Sequence, residues 1–211
     1  MGISTLHGQL GLLQEAIKQE RLVLSGLRIA ELGNQRIRDT ILGHEIPAKK
    51  VYEMFGATHV SFDRNGKDGA LPIDLSQPIP DEHRGAYDLI VNFGTSEHVE
   101  TAAGAYHTGQ YPCWQNIHLM CAPSGRMLHQ IPEVGAWPEH GIVHYTMARV
   151  MALADACGYD VPISRRYEYQ EPWGVRRLKH TLLLCFRKGS QSFPNDAKFY
   201  DLMFPEGESW Y

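Results

Sequence analysis

Two kinds of residue in this chain carry chemistry by type and spacing. The first is histidine. The sequence holds eleven, and three of them, His98, His140 and His144, follow segments that read as sheet strands. An imidazole titrates near neutrality, so each suits a general base that takes a proton from an acceptor. His140 and His144 are four apart in "WPEHGIVHY" and share a face if that segment is helical. With Glu97, His98 or His129 they would then make a conceivable metal set. Gly141 and the neighbouring prolines favour a loop instead, and there is no HExxH pattern and no cysteine nearby in sequence. The expectation is proton transfer at His98, His140 and His144, the last of which can equally pack or cap the helix that follows, and no metal.

The second kind is a series of polar residues placed where apolar runs stop. The run "GLRIAEL" ends in Glu31, followed by Gly33, Asn34 and Gln35. Gly33 permits a tight turn and close approach of the backbone to a ligand, and Glu31 has the charge to hold an ammonium group. "THVSF" runs into Asp63, whose carboxylate can accept two hydroxyls of a ribose; it can also simply start the turn toward Asn65-Gly66. "GALPIDL" places Asp74 and Leu75 where they can address an adenine edge. "YDLIVNFG" ends in Asn92, Phe93, Gly94 and Thr95, where Thr95 or Ser96 also has the chemistry of a helix cap. Each signal alone is weak; their order along the chain is more specific.

The elements that must position these groups follow from periodicity. Residues 8–20 place Leu10, Leu12, Leu13, Ala16 and Ile17 at helical spacing. Strands are expected at "GLRIAEL", "THVSFDRNG", "GALPIDL", "YDLIVNFG" and "RMLHQIPEV", with helices at "IPAKKVYEMFG", "CWQNIHLMCAPSG" and "HYTMARVMALADACGYD". "ISRRYEY" and "KHTLLLCFRKG" read as late strands, the second antiparallel because a short connection makes a hairpin. Alternating strands and helices predict a parallel α/β sheet covered on both faces. Such sheets bind ligands beyond the carboxyl ends of their strands, near the point where strand order reverses. The 211 residues suit one domain: an N-terminal helix within 1–25, a core over 26–190 and an aromatic tail over 191–211.

Composition excludes some classes. The net charge of −4 argues against a nucleic-acid-binding surface, and "RRLK" at 176–179 reads as a solvated face. No segment is long and apolar enough to span a bilayer, and the N-terminus lacks the form of a signal peptide, although "MGISTL" superficially fits an N-myristoylation pattern. Cys113, Cys121, Cys157 and Cys185 form no CxxC pair, which argues against a zinc ribbon or a disulfide framework and fits a reduced, cytoplasmic setting. Tyr106, Trp114, Trp137 and Tyr145 are candidates for an apolar wall beside a flat substrate, or for ordinary packing. The sequence leaves the oligomeric state open.

Over roughly residues 26–160 the chain resembles the class I S-adenosylmethionine-dependent methyltransferases. "IAELGNQ" looks like their first motif, "HVSFDRNG" like the ribose-binding second, "LPIDLSQPIP" and "YDLIVNFGTSEHV" like the third and fourth, and "MCAPSGRMLHQIP" like the turn into the fifth strand. The resemblance implies a Rossmann-like three-layer sandwich with a mostly parallel seven-stranded sheet and a reversed last strand. It implies S-adenosyl-L-methionine held by Glu31, Gly33, Asn34, Asp63, Asp74, Leu75, Asn92, Phe93, Gly94 and Thr95. The family's first motif commonly has two or three glycines, whereas Asn34 and Gln35 follow Gly33 here. A pyrophosphate needs a glycine-rich turn and a helix N-terminus; a sulfonium amino acid has no phosphate to cradle, so the departure counts against NAD. The expected activity is methyl transfer to a small-molecule or sugar-like acceptor, with no nucleic-acid or membrane partner. The alternatives are another reaction in the same cofactor pocket, a non-catalytic binding domain of this fold, and a histidine-based metal-dependent hydrolase.

Overall fold

A computed structural model describes residues 2–3, 8–38, 45–100, 109–136, 140–170 and 178–205. Six strands form the main sheet: β2 (Arg28–Leu32), β5 (Thr58–Phe62), β6 (Tyr87–Phe93), β7 (Cys121–Pro132), β8 (Asp160–Gln170) and β9 (Leu178–Arg187). Their order is β5-β2-β6-β7-β9-β8. β2 pairs in parallel with both β5 and β6, β6 in parallel with β7, and β9 runs antiparallel between β7 and β8. A small separate sheet joins β1 (Gly2–Ile3), β3 (Arg36–Arg38) and β4 (Glu45–Pro47).

Strand alternation sets the layers. Along β6, Leu89, Val91 and Phe93 pack toward one face, against Leu12 and Ala16 of α1 (Gln9–Gln19) and Ala48 and Tyr52 of α2 (Ala48–Met54). Ile90 points the other way, into the cluster built on α3 (Gln110–Met120), α4 (Met147–Ala156) and α5 (Asp196–Met203). Every apolar residue from Leu89 to Phe93 is fully buried, as expected of a central parallel strand covered on both sides. The result is the three-layer Rossmann-like sandwich expected. The tail contributes α5, whose Phe199 and Met203 are core residues.

Two expectations change. Among the described residues the main sheet has six strands, not seven, because residues 69–75 make no strand. Leu71 forms only an isolated bridge to Phe62: its N–H donates to Ser61 O at 2.8 Å, and its carbonyl accepts from Asp63 N–H at 3.0 Å. Pro72 follows and has no N–H to extend the ladder. The helix expected to run to "APSG" stops at Met120 instead. Residues 122–125 are an irregularity inside β7 that shifts its register on β6, with Ser124 at φ 59°. Gly56 (φ 79°) and Gly158 (φ 60°) stand just past α2 and α4, where helices end in left-handed conformation. All four cysteines are buried and free. Among the described residues no helix is long and apolar enough to cross a membrane. "MGISTL", Tyr106, Trp137, Arg176 and Arg177 and the last tail residues, 206–211, lie wholly or mostly outside the described side chains.

Candidate functional site

Strand order reverses between β2 and β6, and the carboxyl ends of these strands are locked to each other. Gln35 supplies the clasp. Its Nε2 faces Leu32 O at 3.3 Å, Phe93 O at 3.1 Å and Thr95 Oγ1 at 3.2 Å, so one buried amide donates across both strand ends. Thr95 Oγ1 donates in turn to Leu32 O at 2.8 Å. Gly33 sits inside this clasp at φ 76°. A Cβ there would lie 2.6 Å from Thr95 Oγ1 and 3.0 Å from Gln35 Nε2, so glycine is required for space as well as for conformation.

Beyond the clasp opens a cavity of about 230 Å³. Seven of the residues singled out from sequence line it: Gly33, Asn34, Asp63, Asp74, Leu75, Thr95 and His98. Asp63 holds the first two loops together. Its Oδ2 accepts Asn34 N–H at 2.8 Å and its Oδ1 accepts Asn65 N–H at 2.9 Å. Each carboxylate oxygen keeps a further acceptor position, so the turn reading and the ligand reading of Asp63 are compatible. Asp74 Oδ1 accepts Ser76 N–H at 2.9 Å. The Asn34 side chain is tied to Lys67 O and Asp68. Sequence reasoning noted Gln35 only as a departure from the resembled motif, without a role, and did not single out Phe62, Arg64 or Ile73; these complete this wall together with Val99 and Glu100. The one available signal was Gln35 itself, a large amide where the resembled motif carries small residues.

Other expected residues stand behind the wall. Glu31 is 1% exposed and is not part of the cavity lining. Alternation along β2 turns it, like Ile29, toward the α1–α2 face, where its Oε2 lies 3.4 Å from His59 Nε2 and accepts Gln35 N–H at 3.3 Å. Burial pushes its pKa up, against the pull of His59 and Gln35. Asn92 and Phe93 are fully buried. Asn92 shapes the turn after β6: its Oδ1 accepts Ser96 N–H at 3.1 Å, and its Nδ2 reaches Ser96 Oγ at 2.9 Å and His129 Nδ1 at 3.1 Å. Gly94, at φ 74°, donates its N–H to Gln130 O. Gln110 Nε2 fastens the same turn by donating to Ser96 O and Val99 O, and the Gln110 carbonyl accepts the Tyr145 hydroxyl at 2.6 Å. Trp114 and Tyr145 are thus core residues, Trp114 stacking on His129 at 4.9 Å, rather than a substrate wall.

This braced turn presents Glu97 and His98, and a second segment brings His140 to them. Ile142 N–H donates to Glu97 O at 2.8 Å. Gly141 (φ 75°) allows the approach, since a Cβ there would meet Glu97 Cγ at 2.9 Å. His98 and His140 meet edge to face with centroids 4.9 Å apart. Glu97 Oε1 lies 3.8 Å from His98 Nε2 and 3.5 Å from His140 Nε2. Burial holds the His98 pKa below its ordinary value despite the Glu97 charge, so the imidazole is neutral at neutral pH. His144 is different. It is fully buried, and its Nε2 donates to His140 O at 2.6 Å, which positions the loop.

No protein-family model and no curated protein matches this chain. Solved structures share its fold at low identity. The 1,6-didemethyltoxoflavin-N1-methyltransferase of Burkholderia thailandensis, solved with 1,6-didemethyltoxoflavin and S-adenosylhomocysteine, superposes with a TM-score of 0.55 at 12% identity, over 90% of this chain and 93% of that one. The [4+2]-cyclase SpnF gives 0.52 at 12% identity over 85% and 82%. A tryptophan-to-alanine mutant of the 16S rRNA (adenine(1408)-N(1))-methyltransferase from Catenulisporales acidiphilia gives 0.50 at 12% identity over 84% and 91%. The chain therefore shares the Rossmann-like fold of these methyltransferases and of the cyclase. Three different activities on it mean that function must be argued from the site.

Proposed function

We propose that this chain is an S-adenosyl-L-methionine-dependent methyltransferase acting on a small-molecule or sugar-like acceptor, with acceptor deprotonation assisted at the histidine end of its cavity. The observation that carries the reading is the meeting, at one switch-point cavity, of Gly33, Asp63, Asp74, Leu75 and Thr95 with His98. The residues fit the cofactor by their chemistry. Asp63 retains acceptor positions for two hydroxyls, Asp74 and Leu75 flank a surface suited to a base edge, and the Gly33–Thr95 clasp has no anion cradle to favour a pyrophosphate instead. The cofactor would supply an electrophilic methyl group on a sulfonium.

The chain's own task is alignment and proton handling. Rigid strand ends hold the acceptor in line with the methyl group. A neutral imidazole at His98, on the cavity wall, is in the form that assists an acceptor in losing its proton. His140 stands behind it across Glu97, and His144 positions His140. Glu31, which does not line the cavity, acts through Gln35 by fixing the turn that Gly33 occupies.

Titration calorimetry with S-adenosylmethionine and S-adenosylhomocysteine tests the cofactor. The expectation is one site per chain, and no heat with either refutes the reading. Turnover against a panel of hydroxylated and nitrogenous small molecules then separates an enzyme from a binding domain of the same fold.

A further inference from the structure

The group at the far end of the cavity holds more than a base. Glu97, His98 and His140 each offer one ligand atom, and the three atoms lie within 4.8 Å of one another. Glu97 is 1% exposed, and its Oε2 accepts no hydrogen bond among the described residues. Its Oε1 faces the Nε2 atoms of both histidines at 3.8 and 3.5 Å, longer than hydrogen bonds. A carboxylate buried in this way is either neutralised or balanced by a cation. Ligands bound to one metal at about 2.0–2.2 Å sit roughly 3.4 Å apart in tetrahedral geometry. The observed spacing is thus that of a coordination shell after small side-chain rotations.

We propose that Glu97, His98 and His140 form a binding site for a first-row divalent transition-metal cation, of the Zn²⁺, Co²⁺ or Mn²⁺ kind. Two imidazoles and one carboxylate are intermediate donors that suit such ions; Mg²⁺ and Ca²⁺ prefer oxygen ligands alone. Three protein ligands leave at least one coordination position open. His98 belongs to the cavity wall, so the site adjoins the space where an acceptor would lie. The surroundings are built for fixed ligands. The Asn92–Ser96–Gln110 bonds brace the turn that carries Glu97 and His98. His144 Nε2 holds the carbonyl of His140, and Gly141 lets that loop close on Glu97. No HExxH pattern announced the site because its ligands come from two loops more than forty residues apart in sequence.

The site stands on these three side chains and does not depend on methyl transfer. Where the methyl-transfer reading holds as well, the cation would take an acceptor oxygen as a further ligand and lower the pKa of its hydroxyl. In that case the histidines would act as ligands and the hydroxyl's proton would pass to solvent water, and the site favours acceptors that present a hydroxyl.

The test uses the full chain, free of any affinity tag, stripped with a chelator and titrated with Zn²⁺ by calorimetry and with Co²⁺ by visible absorption. The expected result is one equivalent bound per chain, with a Co²⁺ ligand-field band of a low-coordinate nitrogen and oxygen site. Loss of a group that merely supports a metal ligand weakens binding about 10–100-fold. Loss of a ligand itself should cost at least as much, for His98→Ala, His140→Ala and Glu97→Gln alike. His180→Ala, in the ion pair with Glu168 between β9 and β8 and not one of the three ligands, should bind like the parent. If Glu97→Gln does not fold, the two histidine variants decide, since both rings are partly exposed. No stoichiometric binding to the parent, or parental affinity in His98→Ala and His140→Ala, overturns the site. S-adenosylhomocysteine is titrated in parallel. Its binding without the cation's removes this proposal and leaves the methyl-transfer reading; the cation's binding without it does the reverse.

Discussion

Gly33→Ala is the sharpest probe of the clasp at the carboxyl ends of β2 and β6. Gly33 has φ 76°, a region that costs an L-residue roughly 1–2 kcal/mol. The added methyl would stand 2.6 Å from Thr95 Oγ1, so the hydroxyl must move. It then forfeits its bond to Leu32 O (2.8 Å) and the one from Gln35 Nε2 (3.2 Å), each worth about 1 kcal/mol net. The total is about 3–4 kcal/mol, a large part of the roughly 5–15 kcal/mol that holds a domain together. Urea denaturation of four proteins measures it: parent, Gly33→Ala, Thr95→Ala and the double variant. With Thr95 already truncated, the methyl meets no hydroxyl, and the backbone term of about 1–2 kcal/mol remains together with the 3.0 Å approach to Gln35 Nε2, which is common to both backgrounds. The cycle should therefore show a coupling of about 2 kcal/mol. If Gly33→Ala costs the same in both backgrounds, the steric argument is wrong and the glycine serves conformation alone.

Asp63→Ala should weaken S-adenosylhomocysteine binding by about 1–3 kcal/mol in calorimetry, the scale for hydrogen bonds to a charged group; unchanged affinity in a folded variant removes the ribose assignment. The same variant loses the carboxylate bonds to Asn34 and Asn65 N–H, so its urea midpoint should also fall. His98→Ala and His140→Ala should lower turnover on the order of 10²–10⁴-fold with cofactor affinity retained, and full activity in both would detach the cluster from catalysis. Acid stability follows from two buried histidines away from the cavity: burial pushes His129 down to about 3 and His118 down to about 4. The unfolded chain binds their protons near pH 6.5 while the folded one does not. Their contribution is complete above pH 6.5 and is lost as the pH falls from there toward 4 and 3, at up to about 1.4 kcal/mol per pH unit for each. His129→Asn should flatten that part of a stability-against-pH curve, and an unchanged slope would contradict the burial argument.

Much of this molecule was legible without coordinates. Period-two apolar runs and helical spacing are local properties, so β2, β5, β6, α1, α2 and α4 fall where the pattern places them, and strand–helix alternation dictates a covered parallel sheet. The polar residues at strand ends are also local, and Gly33, Asp63, Asp74 and Thr95 do meet at one cavity. Sequence could not decide which side of the sheet each end residue faces or what it touches there. Glu31 carries the right charge in the right motif, yet β2 alternation buries it under α2 beside His59. Residues 69–75 have strand composition, but pairing needs donors, and Pro72 lacks one. The meeting of Glu97 and His98 with His140 depends on two loops folding onto each other through the Ile142 N–H bond to Glu97 O and the space left by Gly141. Spacing along a chain encodes neighbours within one element; neighbours supplied by different elements exist only once the core has packed and fixed the loops against each other.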